Sequence, residues 1–508
     1  MTTRSMLRWA AVGLLSGASA FALGCQTDAL PQPDTPLLSP SALTPGLRPT
    51  APPPVGGPAR VASAVELPAA AEDTIDLEVA LRLAGVDNPT INLAREQVRE
   101  ALAGQLAARA LLLPSVNVGG NFYLHRGTLQ ASSGLMRSVD RQGLYLGFGS
   151  RAVGSGTVAF PGVWLFAHLG DAVYDPLAAR QRVAASRSEA QAVQNAVLLD
   201  VASVYLELAG AEARLDILRR GETELAEVVR LTAAHAKAGQ GRQSDANRAA
   251  ANAELLRREV RRAEEEVAVA SARLCRLLNL DPSVRLRSPG GPVRPVRLIP
   301  EDTDPESLVA LAVRSRPEVF ARSAEVLEAQ TRARQEQVRP WVPLVSVGYS
   351  GGLFGGGSNL VTSDFGPLAG RSDFDVLAVW NVQNLGLGNR ALVRRADAGV
   401  GQAVAGYDLA VNQVRREVAE ALADAQAAAR QIEVAGVALS AAEEGFKLEM
   451  QRISDPALGR PIETLDSFRQ LFDARQELVR AVVAFDVAQF RLFVAVGSNP
   501  SRVGGRAH

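Results

Sequence analysis

Two carboxylates, Glu463 and Asp466, stand three residues apart just after a Pro-bounded break running from Asp455-Pro456 to Arg460-Pro461. That spacing puts them on one face of a first helical turn, where the helix dipole favours negative charge. Such a pair attracts cations. It is also what an ordinary helix N-terminus carries, and both readings stay open at this stage. Catalysis is a poor fit, because no acid, base and nucleophile converge elsewhere in the pattern. The histidines (His125, His168, His235 and His508) make no ligand spacing, and the two cysteines, Cys25 and Cys275, are too few for a disulfide framework. No metal and no other cofactor is expected. The run Gly351 to Gly357 is followed by no Lys-Ser/Thr pair and opens no helix, so it reads as a flexible hairpin loop and not as a phosphate cradle. Basic and acidic residues balance at 54 each, which argues against a nucleic-acid partner.

The elements that must position the carboxylates are long helices. At alternating steps of four and three, Val414, Val418, Ala421, Ala425, Ala428, Ile432, Ala435, Leu439, Ala442, Phe446, Glu449 and Ile453 form a seam that is apolar at all but one position. It predicts a helix on the order of 60 Å long. After the break the chain returns along Leu465, Phe468, Phe472, Val479, Val482, Phe493 and Val496. A second such pair lies upstream. Its outgoing seam runs from Val197 to Val229 and its tight turn is Ala238-Gly239-Gln240-Gly241. Ser244-Asp245 reads as an N-cap for the returning seam, Leu256 to Leu277. The clustered Arg257, Arg258, Arg261, Arg262 and Glu259, Glu264, Glu265, Glu266 read as a solvated face with pairs along the helix.

The two pairs belong to two copies of one unit. The segments beginning at Ile75 and Glu306 share a short amphipathic helix, a break at Pro89 or Pro317, a longer helix, and a Leu-Pro or Val-Pro entry into alternating residues, at an offset of about 230 residues. In the first copy Val116, Val118, Gly120, Phe122 and Leu124 alternate with Asn117, Gly119, Asn121, Tyr123 and His125. A return strand follows at Leu144 to Phe148, with a continuation at Val158 to Phe166. The second copy offers Val345, Val347 and Tyr349, then Phe374 to Val382. Each copy therefore carries one hairpin, apolar on one face and small or polar on the other. Such hairpins suit either a wall between lipid and water or a soluble pair packed on helices. In lipid the strands must close into a barrel, and four are too few without further copies of the chain. Tyr123, Tyr145, Tyr349, Trp164, Trp341 and Trp380 lie in or near the hairpins and read as an interface girdle shared with packing. Cys275, on a seam, reads as a small core residue.

The N-terminus reads as an export signal: Arg4 and Arg8 precede an apolar stretch from Trp9 to Leu23. Cleavage after Ala20 competes with a lipobox-like Ala22-Leu23-Gly24-Cys25 that would leave Cys25 lipidated. The expected organisation is a signal peptide over 1–24, a Pro-rich tether over 25–71, a first repeat over 72–282, a loop-like Pro/Arg-rich linker over 283–304, a second repeat over 305–499 and a tail over 500–508.

With these residues in place, the stretch from Ile75 to Asn499 resembles the TolC-like outer membrane efflux family, of the lipoprotein type. The two turns carry the likeness: Gly241-Arg242-Gln243-Ser244-Asp245 and Gly459-Arg460-Pro461-Ile462-Glu463-Thr464-Leu465-Asp466. Pro461 and the Asp455-Pro456 insertion depart from the family pattern, and Glu463 stands where Asp is typical. The resemblance implies a mainly α fold with membrane β. Three chains of four strands each would share a 12-stranded β-barrel continuing into a long α-helical barrel. It implies a homotrimer in the outer membrane, extending into the periplasm, that is not an enzyme. Its role would be a passive exit duct of a tripartite efflux pump or type I secretion system. The partners implied are outer-membrane lipid, a periplasmic adaptor (membrane fusion) protein, and an inner-membrane pump or ABC exporter. Glu463 and Asp466 would form the periplasmic gate ring, and Gly241, Ser244, Asp245, Gly459 and Arg460 the adaptor-contact tips. The contrasting expectation is a lipid-anchored periplasmic coiled-coil protein with a structural or adaptor role.

Overall fold

In a computed structural model of the chain, the described residues are 72–151, 158–291, 293–300, 302–361, 365–453 and 461–502. They fall in one of the chain's two units, Pro68–His508; the other, Met1–Leu67, lies outside them, and with it the export signal, the tether and Cys25.

Each copy begins with two short helices split by proline. In the first, α1 (Leu77–Asp87) leads into α2 (Pro89–Arg109), with Asn88 at the break. The Asn88 carboxamide accepts from Thr90 N at 2.8 Å and Ile91 N at 3.3 Å, and donates to Leu277 O at 2.7 Å. Pro89 needs no such partner, since it has no N–H. The same hinge in the second copy joins α5 (Pro305–Ser315) to α6 (Pro317–Val338) through Arg316, which makes no cap bond. Arg316 is 8% exposed and grips Glu318 through two bonds of 2.8 and 3.1 Å. Its second partner is Glu417 on the long helix behind it.

The long helices exceed what their seams announce. α3 spans Leu169–Lys237 and α7 spans Leu387–Ile453, 69 and 67 residues. Each is about 100 Å long at 1.5 Å per residue. They return as α4 (Gln243–Leu278) and α8 (Pro461–Ala495), of 36 and 35 residues. Every position of the Val414–Ile453 seam is buried or half-buried. The Arg/Glu face of α4 is more than a solvated stripe, because Arg219–Glu264, Arg257–Glu222 and Arg214–Glu266 lace it to α3.

Between the copies the expected loop is partly a strand. β7 (Arg285–Arg287) pairs in parallel with β1 (Glu72–Thr74). The chain then lies along α8: Val296 N donates to Asp486 Oδ1 at 2.7 Å, and Leu298 N and Ile299 N donate to Gln489 Oε1 at 3.1 and 3.0 Å. Asp486 is 1% exposed, and burial pushes its carboxyl up to about 7 against the opposing Val296 N–H. A folded value above the unfolded one, near 3.9, means that the native state holds a proton the unfolded chain has lost. Stability is therefore lost as pH rises from about 4 to about 7, and stays flat above. Asp486→Asn keeps the acceptor and removes the charge. It is expected to raise stability by about 2–4 kcal/mol at pH 8 and by almost nothing at pH 4. Denaturant titration of both proteins at the two pH values measures this; a gain independent of pH would contradict it.

The hairpins form one sheet. β3 (Val118–Gln130) pairs with β4 (Met136–Ser150), β4 pairs with β8 (Leu344–Ser358), and β8 pairs with β9 (Ala369–Val379), all antiparallel. Short strands extend these lines: β2 (Ser115–Val116) pairs with β6 (Val163–His168), and β6 lies in line with β4 along the other half of β8. A two-residue strand, β5 (Phe160–Pro161), pairs with the end of β4. The sheet is thus four strands wide, edged by β3 and β9.

Gly351 to Gly357 belong to β8, correcting the loop reading, and the hairpin connection is confined to 359–368. The reason is close approach to β4. A Cβ on Gly352 would sit 2.3 Å from Leu146 O, and one on Gly356 would sit 2.3 Å from Gln142 O. The return strand also starts earlier than Phe374, at Ala369.

Candidate functional site at the helical tip and the sheet

At the first tip the chain reverses through a tight capping turn. Gly239 N donates to Ala236 O at 3.1 Å and Gln240 N to His235 O at 3.0 Å, a pair of bonds that needs a left-handed residue between the helix end and its return. Gly239, at φ 74°, supplies it. Gly241 closes down on His235, where a Cβ would meet the His235 Cβ at 3.2 Å. α4 begins at Gln243 with Arg242 in the capping position and no side-chain cap bond. Ser244 and Asp245 therefore lie inside the first turn, correcting the N-cap reading. There Asp245 still meets the positive end of the helix dipole.

At the second tip Gly459 and Arg460 lie outside the described residues. Glu463 and Asp466 stand on the first turns of α8. Glu463 is half-buried and faces Arg452 in the last turn of α7 at 3.8 Å, while Arg452 also bonds Glu449 at 2.8 Å. Asp466 is exposed and accepts from Gln470 at 3.2 Å. The two carboxylates are thus unequal: one is shared with a guanidinium across the turn, and the other is open to solvent. Beneath them Leu465, Phe468 and Phe472 pack against Leu218, Leu225 and Val228 of α3, with Phe446 edge-on to Phe468 at 5.8 Å.

Two residues whose roles no spacing shows hold the tips, one joining α7 to α8 within the second tip and one joining the first tip to the second. Arg452 is one. The other is His235, whose Nε2 lies 3.0 Å from Ile453 O, joining the end of α3 to the end of α7. The only hint in the sequence was that His235 sits where a seam fades.

The sheet supplies the second half of the site. Val118, Phe122, Leu124, Leu146, Phe148, Tyr349, Leu353, Phe374 and Val376 all lie on one face and are exposed. From Val116 to Leu124 this apolar band runs about 26 Å along the strand. Beyond it the same face turns polar, with Arg126 paired to Asp140 at 3.3 Å. Of the aromatic residues expected at an interface, Trp341 and Trp380 are exposed at the helix end of the sheet, and Tyr349 lies in the apolar band. Tyr123, Tyr145 and Trp164 are on the opposite, polar face. Among the described residues no helix is long and apolar enough to cross a membrane, and no group of His, Cys, Asp and Glu could hold a metal. Cys275 is fully buried in the core of the first copy, as its seam position suggested.

No protein-family profile matches the chain, and no curated protein does. Solved structures do. The chain is similar to a membrane protein from Pseudomonas aeruginosa at 22% identity and a TM-score of 0.66, over 83% of this chain and 93% of that one. It is similar to the Campylobacter jejuni CmeC outer membrane channel at 15% identity and a TM-score of 0.68, over 83% and 85%. It is also similar to the open state of the Neisseria gonorrhoeae MtrE outer membrane channel, at 19% identity and a TM-score of 0.62, over 83% and 89%. At these identities the likeness is one of fold. The chain has the TolC-like fold, a helical bundle joined to a partial β-sheet, that the turns and the duplication led one to expect.

Proposed function

We propose that three copies of this chain form a passive outer-membrane exit duct, gated at its periplasmic helical tip. The observation that carries the reading is the sheet: its apolar face is exposed, and among the described residues its edge strands β3 and β9 pair on one side only. In a bilayer an open edge is intolerable, so the sheet must close with further copies. Three sheets, each four strands wide, make a barrel of twelve strands. The helices continue from it as a tunnel of about 100 Å, long enough to reach across a periplasm. A periplasmic adaptor would dock on the tips around Gly241, Ser244, Asp245, Gly459 and Arg460. An inner-membrane pump or ABC exporter would supply the energy, and a lipid on Cys25 would add an anchor. The chain needs no catalytic group for this work.

Threefold repetition of Glu463 and Asp466 gives an acidic ring at a narrow mouth, which favours cations. Because Glu463 is shared with Arg452, Asp466 carries more of that preference. In lipid bilayers Asp466→Ala is expected to lower the cation-to-anion permeability ratio about threefold or more, and Glu463→Ala to lower it less. An unaltered ratio in the double variant would overturn the ring. A monomeric mass for the detergent-extracted protein would overturn the duct.

A further inference from the structure

The polar face of the first hairpin carries charge of one sign. Its β3 positions are Gly119, Asn121, Tyr123, His125, Gly127 and Leu129, and their β4 partners are Gly147, Tyr145, Gly143, Arg141, Val139 and Arg137. Two arginines and a histidine stand there with no carboxylate among them. His125 lies directly opposite Arg141. The Arg141 guanidinium is stacked 5.4 Å from the centre of the Tyr123 ring and donates to the Tyr123 hydroxyl over a long 3.5 Å. Among the described residues Arg141 has no ion-pair partner, unlike Arg126 on the other face and Arg371 on β9, which hold Asp140 and Asp373.

Three polar atoms in this group are shielded from solvent and have no hydrogen-bond partner among the described residues: Asn121 Oδ1, His125 Nε2 and Arg141 Nε. Two belong to the facing pair His125 and Arg141. The pair sits one residue past Leu124, where the apolar band ends. It therefore lies beyond the apolar band, on the side of the sheet away from the helices and five residues before β3 ends at Gln130. An unpaired guanidinium beside an imidazole and a phenol hydroxyl is a donor set for a planar or tetrahedral oxyanion, which a guanidinium can grip through two parallel bonds.

We infer that Arg141, His125 and Tyr123 form an oxyanion-binding station at the outward mouth of the pore, which takes carboxylate or phosphate groups of solutes leaving it. The inference rests on the duct reading, since only a closed barrel turns this face inward. Repeated three times around the mouth, the station makes a cationic ring at the opposite end from the acidic tip. Rings of arginine favour anions as rings of acid favour cations.

The test is block of single-channel current by citrate added to one side of a lipid bilayer holding the full-length protein. Citrate is expected to block from one side only, and Arg141→Gln with His125→Gln to raise the blocking concentration about tenfold or more. Arg141→Lys keeps the charge but loses the two-bond grip and should retain part of the block, between wild type and the double variant, which separates lost charge from a disturbed hairpin. Asp466→Ala at the far end should leave it unchanged. Equal block in wild type and the double variant, with channels of normal size, would overturn the station and leave the duct standing. Absence of channels in every preparation would overturn the duct, and the station with it.

Discussion

Gly352→Val is expected to abolish assembly of the sheet while leaving the helices folded. The position reads from sequence as one glycine in a loose run, yet it sits in the middle of β8 beside Gly351, which pairs with Phe148. Leu146 O occupies the place of any Cβ, at 2.3 Å, and the Gly147 Cα lies 3.0 Å away. Both obstacles are backbone, so no side chain can rotate to make room. Admitting a valine requires β4 and β8 to separate along the seam that joins the two copies, at a cost of about 3 kcal/mol or more. Gly147 faces the same constraint from the other strand: a Cβ there would meet Gly351 O at 2.5 Å. The measurement is the yield of detergent-stable oligomer, expected to fall to near zero with helical circular dichroism retained. Gly370→Val, on β9 with open space around its Cα, is the control and should assemble normally. Equal yields from the two variants would show that the glycines do not set the approach.

Arg316→Met should measurably destabilise the helical part. The guanidinium is buried between Glu318 beside it and Glu417 on α7, so its removal leaves two carboxylates facing each other without their cation. Breaking the pair in this way costs about 1–3 kcal/mol, less than for a fully buried pair because the Glu318 and Glu417 side chains left behind are 40% and 33% exposed and partly screened by water. The loss should fall as pH is lowered, since protonating the carboxylates removes the uncompensated charge. Adding Glu318→Gln and Glu417→Gln should recover most of it. Thermal melts of the single and triple variants decide the matter. A triple variant no more stable than Arg316→Met would mean that Arg316 acts through packing of its stem and not through charge.

Much of this fold could be read from the chain because its long helices repeat one pattern. Val414 to Ile453 keeps an apolar residue at nearly every four-three step, and the segment from Ile75 returns at Glu306. What was hidden had physical causes. α7 begins at Leu387 and α3 at Leu169, well before their seams; α3 packs against both α2 and α6, and α7 against α5 and α6, so no single partner imposes one seam along their length. Pro176, inside α3, further disguises its start. The glycines of β8 looked like a loop because glycine is depleted in strands, whereas here the absent side chains let two backbones meet. At the tip, Glu463 and Asp466 were visible from their place after a break. The sharing of Glu463 with Arg452, and the bond from His235 to Ile453 O, depend on how two turns lie side by side, and no spacing encodes that.

The most direct test of the duct is the current through a planar lipid bilayer exposed to detergent-extracted protein. Three chains closing one barrel predict discrete, uniform conductance steps carried by a species of trimeric mass. They also predict that Gly352→Val removes the steps and Gly370→Val does not. A protein that extracts as a monomer and adds no conductance at any concentration would contradict the account.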